Sequence, residues 1–350
     1  MLNITEEQIM KNWQGNIQSP LVSVRCITYN HEPYIAQALD GFLMQKTTFP
    51  FEVIVHDDAS PDKTADIIRE YERKYPRIIK AIYQTENQYS KRDGSIGRIV
   101  NAACKGKYMS SCEGDDYWID ENKLQMQVDF LEKNSEYGMC YTKANVYIQK
   151  EQNFRNGAIG AAFDSFDDLL LNGNRISTLT TVCRRELVDR YWQEIQPGNK
   201  GWLMGDYPLW LYFAHESKVK FFNHVTSVYR VLEESASNTS NPQKRAAFVK
   251  SVEDIQLFFA QKYYEGERLI QYYAMKQALD EERRIIGLFS KANIERNRDN
   301  IIKYGKLIPD SEKTCKIRLK LLLVRSPLLF KVLFERKWCE FLVYSSRKNL

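Results

Sequence analysis

At 350 residues the chain is long enough for one large α/β domain with an appendage, or for two domains of ordinary size. Apolar residues make up 43% and charged residues 27%, which excludes a disordered chain and implies a sizeable packed core. With 50 basic and 45 acidic side chains the formal net charge is +5, too small for a polycation that coats nucleic acid, so no nucleic-acid partner is expected.

The first eighteen or so residues are polar, acidic around Glu6 and Glu7, and lack the apolar core of a secretory signal. A cytoplasmic protein is the expectation. Seven cysteines, Cys26, Cys104, Cys112, Cys140, Cys183, Cys315 and Cys339, show no CxxC pairing. They read as reduced, mostly buried thiols rather than a disulfide framework or a zinc site.

Residues 22–29 (VSVRCITY) predict a strand, and 33–45 a helix with Ile35, Ala38, Leu39 and Phe42 on one face. A second strand follows at 51–57 (FEVIVHD), then the turn-rich stretch DASPDKT and a helix over 65–75 that stops at Pro76. Residues 78–84 predict a third strand, 95–104 a helix, and 108–112 a fourth strand that runs into the acidic stretch SCEGDDYW at 111–118. This alternation implies an α/β fold with a mainly parallel sheet covered by helices on both faces. A helix from Lys123, a strand over 139–148, a loop over 152–162, a strand over 177–184, a helix over 205–215 and one or two strands over 219–231 complete this part. Beyond residue 240 the pattern turns to long helices rich in Tyr, Lys, Arg and Glu.

In parallel sheets ligands bind at the carboxyl ends of the strands. Three predicted strand ends carry polar clusters: Thr28-Tyr29-Asn30, Asp57-Asp58, and Glu113 to Asp116. Glu113, Asp115 and Asp116 lie within four positions, and two unit charges 4 Å apart repel by roughly 4 kcal/mol at an effective dielectric near 20. Such a cluster calls for a counter-cation. With no His or Cys inside it, the chemistry suits Mg2+ or Mn2+, which take one or two carboxylates and leave positions for water and phosphate oxygens. The competing reading is a solvated acidic turn.

The chain resembles glycosyltransferase family 2, over about residues 20–237. The resemblance rests on VSVRCITYNHEPYI at the first strand, VIVHDDASPDKT at the second, GKYMSSCEGDDYW at the acidic cluster, and GDYPLW followed by SVYRV. It implies the GT-A fold, a Rossmann-like, mainly parallel sheet flanked by helices with a helical C-terminal extension. Residues 1–240 would be the catalytic domain, its nucleotide-binding half at about 20–120 and its acceptor half at about 121–240, with the extension at 241–350.

The resemblance further implies inverting transfer from a nucleotide-sugar donor, typically UDP-linked, to a hydroxyl of a glycan or lipid-linked acceptor, assisted by a divalent metal. Thr28, Tyr29 and Asn30 would line the base pocket, Tyr29 stacking on the base, and Asp58 would bond the base. Glu113 takes the first position of the family's DxD motif and Asp115 the second, as metal ligand. Asp206 matches the catalytic base, although as part of GDYP it also reads as a helix N-cap. Arg92, or Lys91 beside it, would touch the phosphates. Two departures stand out: Glu113 is a methylene longer than the usual Asp, and Tyr229-Arg230-Val231-Leu232 lacks the His that many members carry after the Tyr-Arg pair, leaving Arg230, His224 or Ser235 as substitutes.

Residues 315–338 alternate apolar runs with Lys320, Arg325 and Lys331, too interrupted for the ~20 apolar residues of a membrane span. This segment could lie on the inner face of the cell membrane, or pack on the catalytic domain or on a second subunit of a homo-oligomer. A nucleotidyltransferase would need a Gly- and Lys-rich loop after the first strand, which residues 28–33 are not. A catalytically inactive sugar-nucleotide-binding module is the alternative from another class.

Overall fold

The computed structural model describes residues 3–233 and 241–276. In chain order the elements are α1 (Glu6–Met10), β1 (Val22–Thr28), α2 (Ile35–Leu43), β2 (Phe51–Asp57), α3 (Thr64–Lys74), β3 (Ile79–Tyr83), α4 (Ser95–Ala103), β4 (Tyr108–Ser111) and β5 (Tyr117–Trp118). They continue with α5 (Lys123–Lys133), β6 (Tyr137–Ile148), β7 (Asn153–Phe154), α6 (Phe166–Asn172), β8 (Thr181–Arg184), α7 (Arg185–Glu194), α8 (Asp206–Glu216), β9 (Lys218–Val231) and α9 (Pro242–Tyr263).

The strands form one sheet in the order β3-β2-β1-β4-β8-β6-β9-β5, with β7 on β6. β3, β2, β1 and β4 run parallel. β8 is antiparallel to β4 and to β6, and β9 runs parallel to β6. Every residue of β2 is buried. That burial explains why FEVIVHD reads as a near-continuous apolar run: helices cover both faces of a parallel sheet.

Several elements depart from the sequence reading. The strand expected over 177–184 begins with a 3-10 turn at Thr178–Thr180, and only Thr181–Arg184 is β. The loop expected over 152–162 contains the short strand β7. The 219–231 region is a single strand, β9. Helices α1, α6 and α7 have no counterpart in the sequence reading; α1 starts with a capping box in which Thr5 and Gln8 bond each other's backbone N–H.

β5 decides where the acidic stretch goes. It pairs antiparallel with β9, Tyr117 opposite Val228 and Trp118 opposite Ser227, so the chain crosses from the parallel half to the far edge of the sheet within a few residues. Trp118 anchors this crossing. Its ring meets Phe42 edge-on at 4.8 Å, and its Nε1 donates to Leu179 O at 2.8 Å. Gly41 in α2 permits the approach, because a Cβ there would lie 2.9 Å from the Trp118 backbone.

Contacts divide the chain into a unit of Met1–Phe259 and a second from Ala260. The basic and apolar segment at 315–338 lies outside the described residues. No helix among the described residues is long and apolar enough to cross a membrane. Cys26, Cys104, Cys112, Cys140 and Cys183 are buried and free.

Candidate active site

The site is built at the carboxyl ends of β1, β2 and β4. The acidic turn after β4 is pinned to β1 by two backbone bonds, Cys112 N to Arg25 O at 2.9 Å and Gly114 N to Ile27 O at 3.0 Å. Gly114 is required here. A side chain at this position would place its Cβ 2.7 Å from Thr28 Oγ1 and 3.0 Å from His31 Nδ1. The turn therefore lies directly on the end of β1.

Its three carboxylates differ. Burial, then the neighbouring Asp115 charge, pushes Glu113 up to about 7, and Asp206 adds to the shift. Asp116 is buried, accepts the Arg230 backbone N–H at 2.7 Å, and is held well above the usual carboxylate range by burial and by its two acidic neighbours. Asp115 is half-buried, and His31 Nε2 stands 3.9 Å from its Oδ2. Burial lowers His31 below the ordinary imidazole range, partly opposed by Asp115 and Asp62. Asp116 thus belongs to the turn itself, while Asp115 faces the cleft side chains.

Arg230, near the end of β9, closes the turn from the other side. Its Nε donates to Asp115 O at 2.7 Å, and its guanidinium lies 4.7 Å from the Tyr34 ring centre and 5.3 Å from that of Tyr117. The cation is thus directed at the turn's backbone and at aromatic faces, leaving the Asp115 carboxylate clear.

The β1 and β2 ends supply the next wall. Asn30 adopts a left-handed φ of 58°, which Asn tolerates better than most residues, and its N–H donates to Ser60 Oγ at 2.9 Å. Tyr29 is 45% exposed, a large aromatic ring left open beside this turn. Thr28 Oγ1 is buried without a partner. Asp58 is buried, and its carboxylate accepts the N–H of Gln88 at 2.8 Å and of Tyr89 at 3.0 Å. It therefore holds the 87–91 loop against the β1 end, an engagement not evident from sequence. Arg92, at the end of that loop, has a left-handed φ of 51° and an exposed side chain that makes no ion pair among the described residues.

Asp206 is the first residue of α8. Gly205 takes the N-cap position and no side chain caps the helix, so the N-cap reading of Asp206 is corrected. Its Oδ2 accepts from Asn174 Nδ2 at 3.0 Å, and burial raises its pKa while the backbone N–H groups at the helix start and Asn174 pull it back. Asp206 is near enough to the acidic turn to add to the upward shift of Glu113. Two residues join the site that motif reading does not single out, His31 and Asn174. The first sits inside the quoted YNHEP stretch; the second carries no sequence signal.

Among the described residues no three His, Cys, Asp or Glu side chains form a ready-made metal cage. A hard ion that takes one or two carboxylates and completes its shell from phosphate and water needs no such cage.

The Glycosyl transferase family 2 model matches residues 23–192. An uncharacterized protein of Mycobacterium tuberculosis is 38% identical over 177 residues, 47% of this chain and 47% of that one, so the chain spans about half the length of that relative. The UDP-Glc:alpha-D-GlcNAc-diphosphoundecaprenol beta-1,3-glucosyltransferase WfaP of Escherichia coli is 28% identical over 223 residues, 62% of this chain and 80% of its own. Among solved structures, S. aureus TarS 1-349 in complex with UDP matches in fold with a TM-score of 0.51 at 17% identity, covering 94% of this chain and 92% of that one. Family model, relatives and sheet topology agree that residues 23–192 form a glycosyltransferase family 2 domain with the GT-A fold.

Proposed function

We propose that the protein transfers a sugar, with inversion, from a nucleotide-sugar to a hydroxyl of a glycan or lipid-linked acceptor. The observation that carries this reading is the acidic turn pinned to the carboxyl end of β1, beside the open Tyr29 ring and the buried Asp58 carboxylate. Tyr29 stacks on the base, with Thr28 and Asn30 beside it. Asp58 shapes the base pocket through the 87–91 loop, and each of its oxygens keeps a further lone pair for the base. The name of the E. coli relative, which includes UDP-Glc, favours a uridine nucleotide. Arg92, or Lys91 beside it, touches the phosphates.

Glu113 accepts a hydrogen bond from a ribose hydroxyl. Asp115 fits a divalent cation: it is half-buried and, among the described residues, its carboxylate has no ion pair other than the 3.9 Å approach of His31. When bound there with the donor diphosphate, Mn2+ or Mg2+ neutralises charge on the leaving group. Asp206 accepts the acceptor hydroxyl proton as that oxygen bonds to the anomeric carbon and the bond from that carbon to the phosphate oxygen breaks, the electron pair leaving with the nucleoside diphosphate. Attack and departure on opposite faces invert the centre, so one base suffices. Peripheral contact with the inner membrane face through the C-terminal region, and a homo-oligomer, remain part of this reading.

A panel of nucleotide-sugars with Mn2+, scored for nucleotide release, tests it. Asp206→Asn is expected to lower kcat by about 10² to 10⁴-fold, the usual contribution of positioned proton transfer. Asp115→Ala is expected to abolish metal-dependent turnover. Full activity of Asp206→Asn would remove the assigned base.

A further inference from the structure

Three observations converge on His31. Its Nε2 stands 3.9 Å from Asp115 Oδ2, too far for a hydrogen bond. Its Nδ1 is buried without a partner, and so is Thr28 Oγ1. Both orphans border the same small space above Gly114, at 3.0 and 2.7 Å from where a Cβ would sit. The loop that carries the imidazole is fixed: the His31 N–H donates to Thr64 Oγ1 at 2.8 Å, and that hydroxyl donates to Asp62.

We infer that His31 is a direct ligand, through Nε2, of the divalent cation held by Asp115, with the Nδ1–H then donating a hydrogen bond to Thr28 Oγ1. The inference rests on the metal-dependent reading above and deepens it. Ligands of an ion with bonds near 2.1 Å stand roughly 3 Å apart when adjacent and roughly 4 Å apart when opposite, so one ion can bridge the observed gap with little movement. A donor on Nδ1 fixes the tautomer that leaves the Nε2 lone pair free, and a metal-bound His almost always donates its other ring N–H to a partner. Thr28 Oγ1, the other unpartnered polar atom beside Gly114, suits that role after a small side-chain adjustment.

The test is Mn2+ bound to the full chain in the presence of UDP, read first by the loss of the free-ion EPR signal and then by electron spin echo modulation from ligand nitrogen. Imidazole nitrogen modulation is expected, and it should change when the protein carries 15N-histidine, which separates protein nitrogen from uracil nitrogen. His31→Gln should remove the modulation and weaken Mn2+ binding about tenfold or more. Thr28→Val should keep the modulation and weaken binding about tenfold, as loss of a ligand's supporting partner does. His224→Gln, at an exposed imidazole paired with Asp120 at 2.7 Å, should change neither. Bound Mn2+ without histidine nitrogen modulation in the wild-type protein overturns the assignment while leaving the metal-dependent reading intact, and this outcome needs no variant to fold. Absence of Mn2+ binding with UDP overturns both. Modulation that persists in His31→Gln overturns the choice of residue.

Discussion

At the scale of single residues, Asp206 shows how the environment of a carboxylate sets the pH at which it can work. Burial raises its pKa; the helix-start N–H groups and Asn174 lower it. A base must be ionised, so kcat/KM should fall toward acid along a limb lying above the ordinary carboxylate range. Asn174 is held in one orientation, because its Oδ1 accepts the Ile176 N–H at 2.9 Å and its amide nitrogen is thereby turned toward Asp206. Asn174→Ala removes a donor that favours the ionised form, so the acid limb should move to higher pH. A hydrogen bond to a charged group is worth about 1.5–3 kcal/mol, which corresponds to at least a roughly tenfold loss on the acid side of the limb. A pH profile of kcat/KM for the variant checks this, and an unmoved limb would show that Asn174 only packs against the helix start.

At the scale of elements, α5 begins with a lysine that no sequence signal distinguishes. Lys123 is fully buried; its Nζ donates to Ser110 Oγ at 3.2 Å and lies 4.2 Å from the Trp118 ring centre. Burial lowers its pKa to about 7 from an ordinary 10.5. The folded state therefore holds its proton less tightly than the unfolded chain. Between these two values the unfolded chain binds the extra proton, so this group's destabilising effect is absent above about 10.5, grows as pH falls, and is complete below about 7. Lys123→Met should be more stable than the wild type at pH 7, by an amount on the order of a few kcal/mol. The advantage should shrink steadily toward pH 10. Urea unfolding at several pH values reads this directly, and a pH-independent difference would mean the ammonium finds compensation in the fold.

The same scale shows what sequence could and could not reveal. The alternation of β1, α2, β2, α3, β3 and α4 was legible because parallel strands buried on both faces are continuous apolar runs and their helices repeat at the helical period. β5 was not, because Tyr117 and Trp118 are β only through pairing with Val228 and Ser227, far along the chain. Thr178–Thr180 read as strand because their β-branched residues favour it, yet they form a 3-10 turn whose Leu179 carbonyl receives Trp118. For the site, Asp115 and Asp206 stood inside recognisable motifs. His31 and Asn174 matter only through contacts with distant residues, and Asp58 could be placed at the β2 end but not tied to Gln88 and Tyr89. Pattern alone cannot encode such contacts.

At the scale of the whole first unit, the parallel strands and the β6–β9 half are held together by side chains as well as by the sheet, and Arg230 is one that joins them. From β9 it donates to Asp115 O, to Gln37 Oε1 on α2 and to Gln149 Oε1 just beyond β6, each at 2.7 Å, and it contacts the rings of Tyr34, Tyr117 and Tyr147. Three separated directions from one planar group suit a guanidinium and not an ammonium, which has a single nitrogen at the end of its stem. Arg230→Lys keeps the charge near Asp115 and Asp116 but must abandon at least one of the two glutamines. Gln37 is exposed and Gln149 half-buried, so water can replace the lost partner and the cost is that of the charged hydrogen bond itself; with the weakened aromatic contacts the variant should lose on the order of 1–3 kcal/mol in unfolding free energy. Because the backbone bond from Arg230 N–H to Asp116 survives the substitution, the acidic turn should remain in place in the folded fraction. Mn2+ affinity in the presence of UDP should then fall less than it does on removing His31, even though stability falls more. Thermal or urea unfolding together with Mn2+ titration separates the two effects. An unchanged unfolding midpoint in Arg230→Lys would show that the three-way reach of the guanidinium adds nothing to the joining of the halves.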